Sequence, residues 1–334
     1  MHSSAPWALA ALVFVTALLG TWWARRYALR RRLIDAPGAR RSHVVATPRG
    51  GGIAIVVALV PVFVWLASQD ASGGGLAFCA ASGLVLVAGI GWLDDHRPLS
   101  ALVRLAVHIV AATLLAIGMA SAGAALWWCL CVWILAVGLV NVWNFMDGID
   151  GLATTQAILV AAGALVLGGV SMLPVAIVAA CAGFLPFNAP RARIFLGDVG
   201  SGSLGYLIAC LFAWMPEVEL AGLALLGLPL AAFMIDATLT LLSRMLRGER
   251  WWQPHVQHLY QRLVQAGTSH MRVTLAYAAW TSCSVLALYA LQGRSLSTTL
   301  GVFAAWFVCT AATWFILRAG LEAGLRLSRM RRDD

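Results

Sequence analysis

The chain has 334 residues, of which 61% are hydrophobic and only 11% are charged, and its mean hydropathy is +0.84. This composition excludes an ordinary soluble domain with one buried core and predicts an all-α integral membrane protein. The net charge of +9 comes from 23 arginines and no lysine. In so apolar a chain it favours anionic lipid headgroups and phosphate groups as partners, and no nucleic acid.

Apolar runs of about 20 residues, the length that crosses a bilayer, recur along the whole chain. Short connections join them and no polar linker separates two folding units, so residues 1–334 are predicted to form a single polytopic domain. We predict about 11 transmembrane helices, near residues 6–23, 51–67, 76–93, 102–121, 124–143, 152–170, 172–189, 199–214, 219–243, 273–291 and 298–317.

The arginines predict the orientation of these helices, because cytoplasmic loops carry the excess of basic residues. With the N-terminus outside, 22 of the 23 arginines fall on the cytoplasmic side and Arg294 alone falls outside. The C-terminus is then cytoplasmic. The same topology brings three acidic clusters to the cytoplasmic face, although the acids were not used to derive it.

The first cluster is Asp94–Asp95, at the end of the third predicted helix. Adjacent carboxylates raise each other's proton affinity unless a cation or hydrogen-bond donors offset their charges. A divalent metal ion, or a lipid phosphate carrying one, would supply that offset. The alternative is a pair of solvated carboxylates in a turn before Arg97 and Pro98.

The second cluster repeats polar residues at intervals of three, as Asn141, Asn144, Asp147 and Asp150. On a helix these side chains would lie close to one face, and the glycines at 148 and 151 indicate where regular helix gives way. Amide and carboxylate oxygens gathered in this way suit Mg²⁺. The alternative is polar capping of a helix end.

The third cluster, Phe195-Leu-Gly-Asp198-Val-Gly-Ser201, precedes a new apolar run. Asp198 is therefore expected near the positive end of a helix dipole, where phosphate groups also bind, and it could carry their metal ion. A capping aspartate is the alternative.

Two further features belong to the last third of the chain. His255 and His258, three residues apart, are predicted to share a helical face with Arg262 that binds a diphosphate; the alternative is an amphipathic segment on an anionic membrane. Asp236 lies about 10 Å inside the ninth predicted helix, at about 1.5 Å per residue. An acid at that depth is a functional candidate by default.

Taken together and in this order, the three clusters, Asp236 and the His-x-x-His-Leu-Tyr-Gln-Arg-Leu element at 255–263 resemble the polyprenyl-phosphate N-acetylhexosamine-1-phosphate transferases, of glycosyltransferase family 4 type. The resemblance spans about residues 40–263. It implies a bacterial inner-membrane enzyme with its active site on the cytoplasmic face. The implied reaction transfers a sugar 1-phosphate from a UDP-N-acetylhexosamine to undecaprenyl phosphate, with Mg²⁺ or Mn²⁺, and releases UMP. Such lipid-linked sugars start cell-surface glycans such as O-antigen, and a homodimer is possible.

The resemblance also implies roles for individual residues. Asp198 would be the principal metal ligand, with Asn141 or the Asp94–Asp95 pair near it. Asp94 is the first choice for the group that deprotonates or positions the lipid phosphate, with Asp95 second. The remaining candidates are Asp147, Asp150, His255 and His258 for catalysis, and Arg49, Asn144, Asn188, Phe195, Asp236 and Arg262 for substrate binding.

One departure from the family pattern concerns the sugar. The histidine element has two histidines around Val256-Gln257, where the phospho-muramoyl-pentapeptide transferases of peptidoglycan synthesis have a run of histidines and an acid. This favours a small N-acetylated amino sugar over that alternative. A secondary transporter is the alternative from another class, but transporters place their acids near the midplane of repeated halves, whereas this chain has no repeat and its acids lie at helix ends.

Overall fold

The computed structural model describes residues 5–36, 38, 45–69, 74–168, 171–215, 220–250, 253 and 255–333. The elements are α1 (Ala5–Arg31), β1 (Ile34–Asp35), β2 (Thr47–Pro48), α2 (Ile53–Gln69), α3 (Gly75–His96), α4 (Ala101–Ser121), α5 (Leu126–Met146), α6 (Leu152–Gly168), α7 (Met172–Asn188), α8 (Asp198–Ala213), α9 (Leu220–Gly227), α10 (Ala231–Leu246), α11 (Leu259–Gln265), α12 (His270–Leu291) and α13 (Leu296–Asp333).

The chain is an all-α membrane protein, as its composition predicts. Where the structure describes them, the predicted segments fall on helices, and the ninth falls on two consecutive ones. Within the described residues, seven helices are long and apolar enough to cross a membrane, and four shorter apolar helices accompany them. Large apolar side chains on the outer helices, such as Leu12 on α1 and Ile316 on α13, are 65% and 71% exposed, as expected where a helix faces lipid. The number of helices that cross the bilayer and their orientation stay predictions.

The ninth predicted helix differs from expectation because it is interrupted. A short 3₁₀ turn, Leu228–Leu230, separates α9 from α10. Pro229 lies in this turn and has no backbone N–H to donate, so it cannot continue the regular hydrogen-bond pattern. The other departure from pure helix is a two-residue antiparallel pair, in which Ile34 of β1 is opposite Pro48 of β2.

Helix α8 forms the centre of the bundle, and all of its residues from Val199 to Ala213 are buried. It packs between α3 and α5. Glycines make the contacts close: a Cβ atom at Gly91 of α3 would lie 2.5 Å from the carbonyl carbon of Asp198 and from the amide nitrogen of Val199. Small residues at such interfaces let helix backbones approach in membrane proteins. The first turn of α8 is therefore held against α3.

This contact makes Gly91→Ala a sharp test of the packing. The added methyl group cannot fit without moving α3 from α8, so we expect a loss of stability of about 1–3 kcal/mol. Gly89→Ala is the matched control, because a Cβ there meets no atom within 4 Å. Thermal unfolding of the purified variants in detergent measures the difference. Equal stability of the two variants would contradict the packing.

Candidate active site

The first turn of α8 is capped by a carboxylate from α3. Asp95 is only 2% exposed, and its two oxygens accept hydrogen bonds from the backbone amides of Asp198, at 3.1 Å, and Val199, at 3.2 Å. Gly197 has φ +72°, and a side chain there would collide with the Asp95 carboxylate. A negative charge at a helix N-terminus satisfies amides that have no partner within the helix. The helix start at Asp198 is thus fixed by Asp95, and the Asp198 side chain is left for another role.

Arg49 and Phe195 lie beside the same helix end. Arg49 donates through Nη2 to the Asp95 carbonyl oxygen at 2.6 Å, and its Nε lies 3.8 Å from Asp95 Oδ1. The backbone of Phe195 makes hydrogen bonds to residues before and after Arg49. Its N–H donates to the carbonyl of Pro48 at 2.8 Å, and its carbonyl accepts from the N–H of Gly51 at 2.9 Å. The glycine-rich segment before α2 therefore brings a cation and a half-buried aromatic ring to the start of α8.

Asp94 and Asp198 share one cation that the sequence analysis missed. Arg104, in the first turn of α4, donates through Nη1 to Asp94 Oδ2 at 3.0 Å and to Asp198 Oδ2 at 2.6 Å. The other Asp94 oxygen accepts from the backbone amide of Leu99 at 2.6 Å. The adjacent carboxylates of the first cluster thus have different surroundings. Asp95 is enclosed between two helices, whereas Asp94 faces Arg104 and Asp198.

The second cluster is only partly helical. Asn141 and Asn144 lie on α5, but that helix ends at Met146, and Asp147 already has φ −91° and ψ 63°. The prediction of one helical face through all four residues is therefore wrong beyond Asn144. Asn144 donates to Ser201 Oγ of α8 at 3.2 Å, and Asn141 donates to Val137 within its own helix at 2.7 Å.

Asp147 belongs to the same electrostatic group as the α8 start. Burial, together with the negative charges of Asp198 and Asp95, raises the pKa of Asp147 to about 8. These acids from three parts of the sequence are therefore near neighbours. We call this end of the bundle, marked by Asp94, Asp147 and Asp198, the acidic end.

Asp150 and Asn188 bind other parts of the protein. Asn188 is 3% exposed; its Oδ1 accepts from the Gly151 amide at 3.2 Å and from Thr154 Oγ1 at 3.1 Å, and its Nδ2 donates to a backbone carbonyl at 3.3 Å. Asp150 Oδ2 lies 3.4 Å from Nδ1 of His270, at the start of α12. In the structure both side chains tie elements together, and their substrate contacts stay predictions.

The histidine element is not the predicted helix. Residues 255–257 are irregular, His258 directly precedes α11, and Arg262 lies on α11. The shared helical face is therefore wrong for the histidines, but their rings still lie 4.8 Å apart. His258 is buried against Phe145, with ring centroids 6.1 Å apart. Burial lowers the pKa of His258, and burial with the neighbouring His258 and Arg244 lowers the pKa of His255 to about 4. Both rings are accordingly neutral near pH 7 and can each donate and accept one hydrogen bond.

Asp236 holds the start of α11. It is 1% exposed, and its oxygens accept from the backbone amides of Leu259 at 2.8 Å and Tyr260 at 3.3 Å, from Tyr277 Oη at 2.8 Å and from Trp314 Nε1 at 3.0 Å. These donors come from three helices. Both oxygens of Asp236 therefore accept hydrogen bonds from other parts of the protein. The structure supports a structural role for Asp236 and does not support the predicted substrate contact.

The histidine element is joined to the acidic end through Tyr260. Its hydroxyl donates to the Phe145 carbonyl at 3.0 Å, and Gly148 leaves the space that this hydroxyl occupies. From the other side, the buried Arg244 donates to Glu249 Oε2 at 2.8 Å and to the carbonyl of Gln253 at 3.1 Å. Arg104, Tyr260 and Arg244 were not among the residues predicted from the sequence. Arg104 had a signal, because it is a cation within the first turn of an apolar run.

The donor set at the acidic end fits a hard divalent cation bound with phosphate. Within the part of the chain that the structure describes, no group of three or more acidic, histidine or cysteine side chains forms a complete metal site. Mg²⁺ needs only one or two carboxylates when phosphate oxygens and water complete its shell. Asp94 Oδ2 and Asp198 Oδ2 converge on a single nitrogen atom of Arg104, so the pair meets that requirement.

Comparison with known proteins assigns the chain to a family. Residues 77–215 match glycosyl transferase family 4. A decaprenyl-phosphate N-acetylglucosaminephosphotransferase of Mycobacterium tuberculosis (strain H37Rv) is 32% identical over 327 residues, covering 81% of this chain and 79% of the relative. The chain belongs to glycosyl transferase family 4. This family 4 protein is thus a sugar-phosphate transferase and a multi-pass membrane protein, and the matched segment contains all three acidic clusters.

Two other relatives extend this comparison. A probable undecaprenyl-phosphate N-acetylglucosaminyl 1-phosphate transferase of Bacillus subtilis (strain 168) is 29% identical over 288 residues, covering 79% of this family 4 chain and 78% of the relative. A phospho-N-acetylmuramoyl-pentapeptide-transferase of Deinococcus radiodurans is 30% identical over 277 residues, with 74% and 86% covered.

The structural task of Asp236 predicts the behaviour of the Asp236→Asn variant. The side-chain amide replaces one acceptor oxygen by an NH₂ group, which then faces a backbone N–H, so the start of α11 should detach and the preceding loop should open. We expect trypsin to cleave after Arg247 or Arg250 at least about tenfold faster than in the wild type, the ratio that a local opening free energy about 1.4 kcal/mol lower gives. Thr240→Val is the matched control, because it removes one donor to Asp236 on the same helix, at 3.2 Å. Cleavage rates that match the control would contradict the assignment.

Proposed function

We propose that this transferase moves an N-acetylated amino-sugar 1-phosphate from a UDP-sugar to undecaprenyl phosphate, releases UMP and forms a lipid diphosphate sugar that starts a cell-surface glycan such as O-antigen. The observation that carries the proposal is the convergence of Asp94, Arg104 and Asp198 at the start of α8. The names of the relatives support a polyprenyl phosphate acceptor and an N-acetylglucosamine phosphate donor.

The reaction joins two anions, so the site must lower the electrostatic barrier between them. An oxygen of the lipid phosphate bonds to the β-phosphorus of the UDP-sugar, the bond from that phosphorus to the bridging oxygen breaks, and UMP leaves with the electron pair. Arg49 and Arg104 supply fixed positive charge beside the α8 start. Mg²⁺, or Mn²⁺ in its place, would be held by Asp198 and Asp94, with Asn141 nearby, and would neutralise charge on the diphosphate.

Asp94 and Asp95 receive different roles in this proposal. Asp95 binds two amides of α8, and its burial leaves no path for a phosphate. Asp94 has a partly exposed carboxylate, with 14% of its side chain accessible. Asp94 is therefore the member of the pair that can position the lipid phosphate, together with Arg104.

The donor substrate is proposed to lie between the α8 start and the histidine element. Phe195 offers a half-buried ring for uracil. His255 and Arg262 are partly exposed and belong to the element that Tyr260 joins to Phe145, near Asp147, while the buried His258 supports the His255 ring at a centroid distance of 4.8 Å. Neutral imidazoles suit hydrogen bonds to sugar hydroxyls and to an N-acetyl group as well as to phosphate. The two-histidine element favours a small amino sugar over a muramoyl pentapeptide, and so does the slightly higher identity of the N-acetylglucosaminephosphotransferase relative, 32% against 30%.

The orientation follows from the arginines. The acidic end is proposed to face the cytoplasm of a bacterial inner membrane, with the N-terminus periplasmic and the C-terminus cytoplasmic, because that topology places 22 of 23 arginines inside. Soluble UDP-sugars and the phosphate of the membrane-bound acceptor then meet on one side.

UMP release from a panel of UDP-sugars tests the proposal. The purified protein in detergent, with undecaprenyl phosphate and Mg²⁺, should release UMP from UDP-GlcNAc or a related UDP-N-acetylhexosamine. Asp198→Asn keeps the shape of the side chain but removes the charge that a hard cation needs, so UMP release should fall by about 10²–10³-fold. UMP release only from UDP-MurNAc-pentapeptide would contradict the proposal and support the alternative function in peptidoglycan synthesis. Near wild-type turnover by Asp198→Asn would remove Asp198 from the site.

A further inference from the structure

We propose that Arg104 is an exchangeable cation of the acidic end: its guanidinium holds Asp94 and Asp198 together, yields their oxygens to a divalent cation, and then faces the substrate phosphates. This inference rests on the proposed function, because it presupposes that a divalent cation binds there. It adds that Arg104 competes with that cation for the carboxylates of Asp94 and Asp198.

The two oxygens of Asp94 have donors of different kinds, one from the backbone and one from a side chain. Asp94 Oδ1 accepts from the Leu99 amide at 2.6 Å, a backbone donor that is fixed by the turn between α3 and α4. The remaining oxygen, Oδ2, is the one bonded to Arg104 Nη1 at 3.0 Å. A cation that binds Asp94 through Oδ2, the oxygen that shares Arg104 Nη1 with Asp198, therefore takes the position that Arg104 holds.

Asp198 presents the same competition from the other side. The same nitrogen atom of Arg104 lies 2.6 Å from Asp198 Oδ2, so it occupies the position between the two carboxylates. Mg²⁺ coordinates oxygen at about 2.0–2.1 Å. A guanidinium nitrogen within hydrogen-bond distance of both oxygens and a cation coordinated by both cannot occupy this position together. One of them must move.

The guanidinium can move only as a charged group. Arginine keeps its proton at any physiological pH, so it cannot release the carboxylates by deprotonation. Its side chain is 29% exposed, which leaves it a direction toward solvent. Five donors in a planar fork make the displaced group well suited to bind phosphate in two-point contact. When a divalent cation displaces Arg104 from the carboxylates, the guanidinium charge is available to the two substrate phosphates, which must approach each other there.

The other arginine beside the α8 start is placed differently. Arg49 contacts Asp95, whose oxygens are already bonded to the amides of Asp198 and Val199. Both Asp95 oxygens accept hydrogen bonds from backbone amides, and the residue is buried, so a divalent cation is not expected to displace Arg49. The competition is therefore specific to Arg104, and a variant at this position should separate affinity for the metal ion from turnover.

Mn²⁺ binding without substrates, measured by electron paramagnetic resonance on the purified protein in detergent, tests the proposal. Arg104→Gln removes the competing charge, so Mn²⁺ should bind about three- to thirtyfold more tightly than to the wild type. UMP release by the same variant should fall by at least about tenfold, because the phosphates lose a cation. Tighter metal binding with lower turnover is a combination that a merely distorted site would not produce, since distortion weakens both.

Arg97→Gln is the matched control. It removes the same charge from an exposed side chain that directly follows α3, and Mn²⁺ affinity should stay within about twofold of the wild type. Arg104→Met, which keeps an unbranched apolar stem, supplies the same comparison if Arg104→Gln does not fold.

The outcomes separate this inference from the proposed function. If the wild type binds Mn²⁺, Asp198→Asn abolishes binding, and neither neutral variant of Arg104 binds more tightly, the exchange is wrong while the metal site stands. If the wild type binds no Mn²⁺ at Asp198, both the metal role and the exchange are wrong. Tightening that appears equally in Arg97→Gln would show a general charge effect and would also overturn the exchange.

Discussion

The buried carboxylate of Asp95 accepts hydrogen bonds from the first two amides of α8, and the position of the acidic end depends on this contact. Helix α8 is buried from Val199 to Ala213, so the amide of Val199 cannot be satisfied by water. Leaving a buried amide without a partner costs about 1–3 kcal/mol. Once Asp95 fixes the helix start, Asp198 and Ser201 are directed toward α4 and α5, and the neighbouring Asp94 reaches Arg104.

The same solution occurs a second time in the chain. Asp236 on α10 caps α11 as Asp95 on α3 caps α8. In both places a carboxylate buried between helices binds the start of a helix that carries candidate site residues, Asp198 in one and Arg262 in the other. Two acids that sequence reasoning assigned to chemistry thus have structural surroundings, and the groups left to meet substrates are the partly exposed ones beside them. A buried acid in a membrane protein is therefore informative, but its role depends on whether its oxygens are already used.

Hydropathy was sufficient to locate the helices, because the length and apolarity of each segment are local properties. The structure brings Asp94, Asp147 and Asp198, one from each acidic cluster, to one end of the bundle, and the cytoplasmic location of that end stays a prediction. What the sequence could not show are contacts between distant segments. The cap from Asp95 joins residues 103 positions apart, and the bridge from Arg104 to Asp198 joins residues 94 positions apart. Local errors arose where a helix was assumed to continue, at Pro229, after Met146 and through His255, since spacing alone does not show where backbone hydrogen bonds stop.

Hydrogen exchange, followed by mass spectrometry, tests the central claim about Asp95 most directly. In Asp95→Ala the amides at the start of α8 lose their acceptor, so peptides covering 195–204 should exchange at least about tenfold faster than in the wild type, while peptides covering 259–265, which Asp236 caps, should keep their wild-type rates. Unchanged exchange at 195–204 in a folded Asp95→Ala variant would contradict the account.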